Sequence, residues 1–354
     1  MAINQQPLGD PDEGLFDGRY ELLGPLGGRG FYGEVWRAFD TTTGRTVALK
    51  LLDANETTPE DAWREATSLT SLESPHLLRV FGAAMAMDVP YIDTEIAEGG
   101  SLEEVASPLG VTEHLAARWG RQIAIGLSVC HRAGLVHRDV KPANVFLNAQ
   151  GDALLGDFGK AALLDEERTA GCDGDPQIRA PELLKGARCT PESDVYAAGM
   201  TLHALLAGRL PFRFADFGGF KELREAAVQG PPAIRDVAPQ VSRQMGRIVT
   251  RATAVDPSDR PSADEVAWAL ARVAVGSRYI QEVTPQSGQG REWLATPFGK
   301  APVEVRVTAV SHTPNRWTLE AIRTSSGSRV RRHCLDVDNG RLAIQLRRCF
   351  DDLR

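Results

Sequence analysis

The chain has 354 residues, of which 42% are hydrophobic and 25% are charged, and its formal net charge is -7. This composition is ordinary for a soluble globular protein, and the negative charge opposes non-specific binding of the whole molecule to nucleic acid. No run of about 18 apolar residues occurs, which excludes an ordinary membrane-spanning helix. The length predicts one two-lobed unit and an additional piece.

The cysteines stand far apart and none forms a CxxC pair: Cys130, Cys172, Cys189, Cys334 and Cys349. This spacing does not suit a zinc site, and an odd count does not suit a disulfide framework. The amino terminus is polar and acidic, so no secretory signal is predicted. We therefore expect a reduced, cytoplasmic compartment.

Residues 1–17 are predicted to form a flexible leader, and strand-like patterns begin at Tyr20. Three glycines then follow in GxGxxG spacing: Gly28, Gly30 and Gly33. Because glycine has no Cβ, such a loop lets the backbone lie close to a phosphate, although a plain glycine turn fits the spacing as well. A strand ending in Lys50 comes next, and residues 59–72 have helical spacing around Glu65.

Residues 91–102 are typical of a strand that runs into a Gly-Gly turn. Residues 112–133 carry apolar side chains at three- and four-residue spacing, which predicts a buried helix that ends before Gly134. His114 and His131 lie in this helix, and we interpret both as surface or packing residues rather than ligands.

Residues 137–159 (HRDVKPANVFLNAQGDALLGDFG) hold the groups best suited to chemistry. Two carboxylates, a lysine and an amide fall on neighbouring turns: Asp139, Lys141, Asn144 and Asp157. Phosphoryl transfer needs one group that takes a hydroxyl proton and others that hold metal on a polyphosphate. Magnesium suits carboxylate and amide oxygens together with phosphate oxygens. The ordered combination therefore predicts a phosphoryl transfer centre.

This combination, with Lys141 two residues after Asp139, resembles the eukaryotic-type (Hanks-type) serine/threonine protein kinases. Residues 47–50 (VALK) resemble a further motif of that family, and the DVKPANV phrasing looks bacterial. The resemblance covers residues 18–275 and implies an α+β fold of two lobes. These are a small β-rich N-lobe at 18–97 and a larger helical C-lobe at 98–275.

The resemblance implies that ATP binds between the lobes. Lys50 would bind the α- and β-phosphates and pair with Glu65, and Thr94 would be the gatekeeper beside the adenine. The backbone of Glu95 and Ala97 would contact the adenine edge. The implied nucleotide-binding set is Gly28, Gly30, Gly33, Val35, Ala48, Lys50, Glu65, Thr94, Glu95 and Ala97.

The resemblance also gives the central stretch its roles, with Lys50 completing the catalytic set. Asp139 would accept or orient the substrate hydroxyl proton, and Lys141 would neutralise charge growing on the transferred phosphoryl group. Asn144 and Asp157 would bind Mg2+, so ATP and Mg2+ are the expected cofactors.

Other family positions are implied to be structural or regulatory. Glu182, in the motif Ala-Pro-Glu that ends a kinase activation segment, would pair with Arg260, and Asp194 would hold the catalytic-loop backbone. In kinases with an arginine such as Arg138, a phosphothreonine commonly neutralises it and orders the segment. Thr169 is available for that role, while nearby carboxylates could meet the guanidinium instead.

One position departs from the family pattern. Asp175 follows Gly174 where the family usually has a threonine whose hydroxyl bridges the catalytic aspartate and lysine. The carboxylate could pair with Lys141, or it could repel and misplace Asp139.

Two functions therefore stay open. The first is an ATP-dependent serine/threonine protein kinase acting on protein hydroxyls, which the intact catalytic set favours. The second is a pseudokinase-like scaffold that binds nucleotide and acts through its carboxy-terminal part, which Asp175 weakly favours. A small-molecule kinase is disfavoured by the Ala-Pro-Glu motif and Arg260.

The remaining residues suggest no family. Residues 276–300 are predicted to be a linker, and residues 301–354 a small antiparallel β domain of about four strands, with a hairpin at 338–340 that leads into a last strand at 342–346. This part carries 13 Lys/Arg and 8 Asp/Glu over residues 276–354. Its basic run at 329–333 is expected to be a solvated face or to bind an acidic protein partner or the acidic kinase domain itself. Nucleic acid is less favoured because few aromatics could stack bases. We expect this domain to be separable from the kinase domain.

Overall fold

The computed structural model describes residues 15–26, 34–52, 72–86, 89–171, 175–274, 276–298 and 303–354. Four residues predicted to bind nucleotide lie outside the described residues: Gly28, Gly30, Gly33 and Glu65. Most of the predicted leader lies outside them as well.

Antiparallel strands form the N-lobe sheet in the order β1-β2-β3-β5-β4. They are β1 (Tyr20–Pro25), β2 (Glu34–Asp40), β3 (Arg45–Leu51), β4 (Val80–Ala86) and β5 (Val89–Thr94). Side chains alternate across β3, as the period of a strand requires. Leu49 and Leu51 pack in a core with Tyr91, so that Ala48 and Lys50 lie on the opposite face, the one that carries the predicted nucleotide residues.

Helices make up most of the C-lobe. They are α1 (Leu102–Ala106), α2 (Glu113–Arg132), α3 (Pro181–Leu184), α4 (Pro191–Ala207), α5 (Phe220–Ala227), α6 (Ile234–Val237), α7 (Arg243–Ala252) and α8 (Ala263–Ala271). Helix α4 is buried along nearly its whole length. A Cβ at Gly199 would lie 2.7 Å from the side chain of Thr253, so glycine allows the end of α7 to pack directly on α4.

Two short ladders hold the central stretch on this helical core. They pair β6 (Leu135–Val136) with β9 (Ala162–Leu163) and β7 (Val145–Leu147) with β8 (Ala153–Leu155). The loops between these strands carry the predicted catalytic residues. The two-lobed α+β fold is therefore confirmed. In the described part of the chain, no helix is both long enough and apolar enough to cross a membrane.

The carboxy-terminal residues form one antiparallel sheet covered by a helix. The strands, in sheet order, are β10 (Arg278–Val283), β11 (Arg291–Pro297), β12 (Val305–Thr313), β13 (Arg316–Arg323) and β14 (Leu335–Asp338), and the helix is α9 (Asn339–Leu353). The buried side chains of Trp293 and Phe350 pack between sheet and helix, with their ring centroids 5.3 Å apart.

Three expectations for this region were wrong. The linker predicted at 276–300 contains β10 and β11. The hairpin predicted at 338–340 is instead a helix start, where the Asp338 carboxylate accepts the backbone N–H of Arg341 at 2.9 Å. Asp and Asn suit both a turn and a helix cap, which explains the error. The strand predicted at 342–346 is helical, and Leu346 packs into the domain core with Phe350 at a spacing of four residues.

A kinase-domain loop after α6 enters the carboxy-terminal domain. The indole N–H of Trp293, which is fully buried, donates to Gln240 Oε1 at 3.2 Å, and the Arg354 guanidinium donates to the Gln240 carbonyl. Arg354 also lies 3.0 Å from the carboxylate of Glu113, the first residue of α2. These contacts argue against a separable domain, because the core of one domain is hydrogen-bonded by the other.

Ion pairs extend this interface at the end of α9. The Asp351 carboxylate is 2.9 Å from Arg235 and 3.2 Å from Arg243, and Arg347 pairs with Asp236. The carboxy-terminal helix is thus bound to both α6 and α7.

A chain that ends at residue 274 is expected to unfold at a lower temperature than the full chain, because Gln240 loses its hydrogen bonds from Trp293 and Arg354 and Glu113 loses the Arg354 guanidinium. Asp351→Ala should lower the melting temperature by about 2 °C, since an ion pair of this kind contributes about 1 kcal/mol or less. Differential scanning calorimetry measures both changes.

Asp352→Ala is the matched control, because that carboxylate is 46% exposed and meets Arg332 within its own domain at 3.6 Å. If the shortened chain melted at the same temperature as the full chain, the interface would contribute nothing to stability.

Candidate active site

The backbone of the catalytic loop is held by one buried carboxylate on α4. Asp194 is 1% exposed, and its oxygens accept the backbone N–H groups of His137 and Arg138, each at 2.8 Å. Arg138 has a φ of 67°, a left-handed conformation that is unfavourable for a residue with a side chain. The carboxylate therefore stabilises a strained turn directly before Asp139.

His131 is the third partner of this carboxylate. Its Nε2–H donates to Asp194 Oδ2 at 2.9 Å, so the residue belongs to the support of the site rather than to the surface or to simple packing. Burial raises the pKa of the Asp194 carboxyl, but the hydrogen bond and charge of His131, together with His137, outweigh burial and hold that pKa below its ordinary value.

His137 connects the two loops that carry the predicted chemistry. The imidazole is fully buried and donates from Nε2 to the Gly156 carbonyl at 3.0 Å, while Nδ1 accepts the Asp139 N–H at 3.3 Å. Its ring lies 4.6 Å from the ring of Phe158, which is itself buried. Asp139 and the turn before Asp157 are thereby fixed relative to each other.

Asp139 lies in a converging set of donors and is 3% exposed. The Asn144 amide donates to Asp139 Oδ2 at 2.9 Å, and Lys141 Nζ lies 3.1 Å from the same oxygen. The backbone N–H of Asp175 donates to Asp139 Oδ1 at 3.1 Å. The structure thus brings together three of the predicted residues of the central stretch.

Asp157 pairs with the lysine of β3. Lys50 Nζ lies 2.5 Å from Asp157 Oδ1, and Asp157 has a left-handed φ of 54°. Burial raises the pKa of the Asp157 carboxyl, but the charge and hydrogen bond of Lys50 outweigh burial and hold that pKa below its ordinary value. An ionised carboxylate at this position can hold a cation.

The oxygen donors at this site fit magnesium better than a metal ion whose ligands all come from the protein. Among the described residues, no group of three or more His, Cys, Asp and Glu side chains could hold a metal ion. A carboxylate from Asp157 and an amide oxygen from Asn144 instead suit a hard ion that takes its other ligands from water and a polyphosphate.

The predicted adenine side lies on β5 and the residues after it. Thr94 pairs with Ala48 across the sheet, and Val35 pairs with Lys50. The Thr94 hydroxyl donates to the Glu95 carbonyl at 3.1 Å, and the Glu95 N–H is bound to a neighbouring carbonyl. Ala97 follows in the half-buried strand-to-helix connection.

The end of the activation segment is anchored by a bidentate ion pair. Two guanidinium nitrogens of Arg260 donate to the Glu182 carboxylate at 2.6 and 2.7 Å, and the Arg260 side chain is fully buried. The same guanidinium lies over the Tyr196 ring of α4 at 4.9 Å. This planar, always charged group therefore joins α3 to α4.

Arg138 contacts the segment differently from expectation. Its guanidinium donates to the carbonyl oxygens of Lys160 and Gly171. Within the described residues the segment carboxylate Asp165 pairs with Arg188 at 2.8 Å instead. Carbonyl groups can order a guanidinium without added charge, and no sequence motif marks such a contact.

Arg188 is a residue that sequence reasoning missed. Its Nε donates to the Thr169 hydroxyl at 2.7 Å, and that hydroxyl donates to Asp165 at 2.9 Å. Ala170 and Cys189 exchange backbone hydrogen bonds directly beside this cluster. No motif marks Arg188, because its partners are 19 and 23 residues away in the chain.

Asp175 pairs with Lys141 rather than displacing Asp139. Its Oδ2 lies 3.5 Å from Lys141 Nζ, which also lies 3.1 Å from Asp139 Oδ2. Burial lowers the pKa of the Lys141 ammonium, but the charges of Asp139 and Asp175 outweigh burial and raise that pKa.

Asp194→Asn is expected to reduce the free energy of unfolding at pH 7 by about 2–3 kcal/mol, because hydrogen bonds to a buried charge are lost. The folded-state pKa is lowered, so the stability that Asp194 contributes is present above its unfolded value near 3.8 and disappears as the pH falls toward the folded value. Urea unfolding at pH 7 and pH 3 measures the difference.

The difference between wild type and Asp194→Asn should therefore shrink in acid. Asp259→Asn serves as control, since Asp259 is exposed. A difference that stays constant with pH would mean that the carboxylate charge contributes nothing.

Comparison with known proteins gives the family. Residues 20–269 match the model of the protein kinase domain. The serine/threonine-protein kinase pkn2 of Myxococcus xanthus is 35% identical over 74% of this chain and 33% of its own length. A probable serine/threonine-protein kinase of Streptomyces coelicolor is 36% identical over 70% of this chain and 39% of its own length.

The serine/threonine-protein kinase PknL of Mycobacterium tuberculosis is 32% identical over 73% of this chain and 65% of its own length. The chain thus spans well under half of the first two relatives and just under two thirds of the third. Residues 20–269, which match the family model, contain every described residue of the site. With the match to residues 20–269, this shows that the chain belongs to the protein kinase family.

Proposed function

We propose that this protein is an ATP-dependent serine/threonine protein kinase that transfers the γ-phosphate of Mg-ATP to hydroxyl groups of proteins. The observation that carries the proposal is the arrangement around Asp139, whose carboxylate lies 3.1 Å from Lys141 and 2.9 Å from Asn144. A base, a cation and a metal-binding amide thus meet at one point, as phosphoryl transfer to a hydroxyl requires. The relatives named above carry the same activity in their names.

Asp139 orients the substrate hydroxyl and accepts its proton as the bond to phosphorus forms. Lys141 stabilises the negative charge that develops on the transferred group. Mg2+, when bound, neutralises charge on the polyphosphate, and Asn144 and Asp157 are the residues that would hold it.

Lys50 contacts the α- and β-phosphates of the nucleotide in this proposal. Its ammonium already lies at Asp157, so one cation and one carboxylate prepare the phosphate end of the cleft. Val35, Ala48, Thr94, Glu95 and Ala97 form the adenine end.

The scaffold alternative loses its main support. Asp175 was the residue that favoured it, and this carboxylate pairs with Lys141 instead of disturbing Asp139. No other described residue of the catalytic set is replaced, so a second function is not proposed.

We further propose a kinase domain at 18–275, followed by a domain that binds a protein partner through its basic run. Intramolecular pairs already neutralise part of that run, with Arg329 at 2.5 Å from Glu320, whereas Arg331 is exposed. A cytoplasmic site of action is favoured by free, buried cysteines such as Cys130 and Cys349, which suit a reducing compartment.

Lys50→Ala, Asp139→Asn and Asp157→Asn are each expected to reduce phosphate transfer about a thousandfold or more, because charge stabilisation and positioning are lost. Asp139→Asn should still bind Mg-ATP, whereas Asp157→Asn should bind it more weakly. Transfer from labelled ATP and calorimetric nucleotide binding separate these effects. Near wild-type transfer by Asp139→Asn would place the catalytic centre elsewhere.

Thr169→Ala is expected to keep measurable basal activity, because the pair between Asp165 and Arg188 remains to order the segment. Phosphate on Thr169 carries nearly two charges, so it should add at most a moderate gain through Arg188. Initial rates of phosphatase-treated wild type and of the variant test this. Complete inactivity of Thr169→Ala that no acidic substitution restores would make phosphothreonine the sole switch.

A further inference from the structure

Position 175 holds two polar groups against the centre of the site. The backbone N–H of Asp175 donates to Asp139 Oδ1 at 3.1 Å, and its carboxylate lies 3.5 Å from Lys141 Nζ. In the family pattern a threonine hydroxyl bridges the same two residues. Here the backbone N–H of Asp175 binds Asp139, and the Asp175 carboxylate pairs with Lys141.

The Asp175 carboxylate is itself held in place by hydrogen bonds from Gln177. The backbone N–H of Gln177 donates to Asp175 Oδ1 at 2.9 Å, and the Gln177 side-chain amide does so at 3.3 Å. Gln177 in turn accepts the backbone N–H of Phe214 at 3.0 Å. A continuous set of hydrogen bonds therefore joins Asp175 to the loop that follows α4.

This arrangement determines where the Lys141 ammonium lies. Its side chain is 18% exposed and reaches Asp139 Oδ2 at 3.1 Å and Asp175 Oδ2 at 3.5 Å. A lysine side chain has many conformations, and contacts with two carboxylates restrict it more than a contact with one. Without the Asp175 carboxylate, the ammonium would keep one carboxylate contact, to Asp139, and its position would be less well defined.

We propose that Asp175 is a positioning residue of the transfer reaction. Its carboxylate pairs with Lys141, which also contacts Asp139, and its backbone N–H holds the Asp139 carboxylate. The inference rests on the proposed kinase function. Asp175 acts through these two residues and does not touch the reacting atoms. The extra carboxylate is therefore a working replacement for the hydroxyl and not a sign of lost activity.

The test compares substitutions at position 175 in the full chain, using a serine-containing peptide that the wild type phosphorylates. Asp175→Ala should lower kcat about 10- to 100-fold, with the KM for ATP unchanged within about twofold, because the contact between Lys50 and Asp157 is untouched. Asp175→Thr should restore kcat to within about threefold of wild type, since its hydroxyl can reach both partners. Asp175→Asn should lie between them, because it keeps an acceptor oxygen and loses the charge.

Glu166→Ala is the matched control, since this substitution removes a carboxylate charge from an exposed position of the same segment. Its kcat should equal that of wild type. An Asp175→Ala kcat equal to or above wild type would overturn the proposal, as would an Asp175→Thr protein that melts like wild type and is as slow as Asp175→Ala. Loss of ATP binding together with a lower melting temperature in Asp175→Ala would also overturn it, by showing a structural role.

Failure of the proposed function gives a different result. In that case wild type would transfer no more phosphate than Asp139→Asn to any substrate, and both proposals would fall together. If wild type were active and substitutions at position 175 left kcat unchanged, only the inference about Asp175 would be overturned.

Discussion

The site depends on a buried charge that never meets the substrate. Asp194 accepts two adjacent backbone N–H groups and keeps Arg138 in a left-handed conformation, so that the following residue points its carboxylate into the cleft. A buried carboxylate is costly unless its oxygens are satisfied, and here His131 completes the set. The catalytic loop is therefore shaped by α4 and α2 together with its own buried His137.

Cations and carboxylates alternate through the cleft. Lys50 meets Asp157, and Lys141 lies between Asp139 and Asp175. Such pairs fix long lysine side chains before any ligand arrives, which lowers the cost of reorganisation when negative phosphate groups enter. Each lysine is held by a carboxylate that, in the proposed reaction, would also bind the metal ion or the substrate.

The sequence was sufficient to predict the kinase fold and the closeness of Asp139, Lys141 and Asn144, because these residues lie within a few positions of one another in the chain. It was not sufficient where the partner is distant in the chain. Arg188 meets Thr169 through a bridge between remote segments. In the carboxy-terminal domain, Asp338 and the residues after it suit both a hairpin and a helix start, and only the core that Phe350 helps to form decides between them.

His137 has a consequence for how nucleotide and acceptor would affect each other in the proposed kinase. Its imidazole is bound to the loop of Asp139 on one nitrogen and to the loop of Asp157 on the other, with Phe158 against its face. Neither loop can shift alone without breaking one of these contacts. In the proposed kinase, a ligand that moved one loop would have to move the other, so binding of nucleotide and of acceptor would be coupled, and reciprocity requires that each then changes the affinity for the other by the same factor.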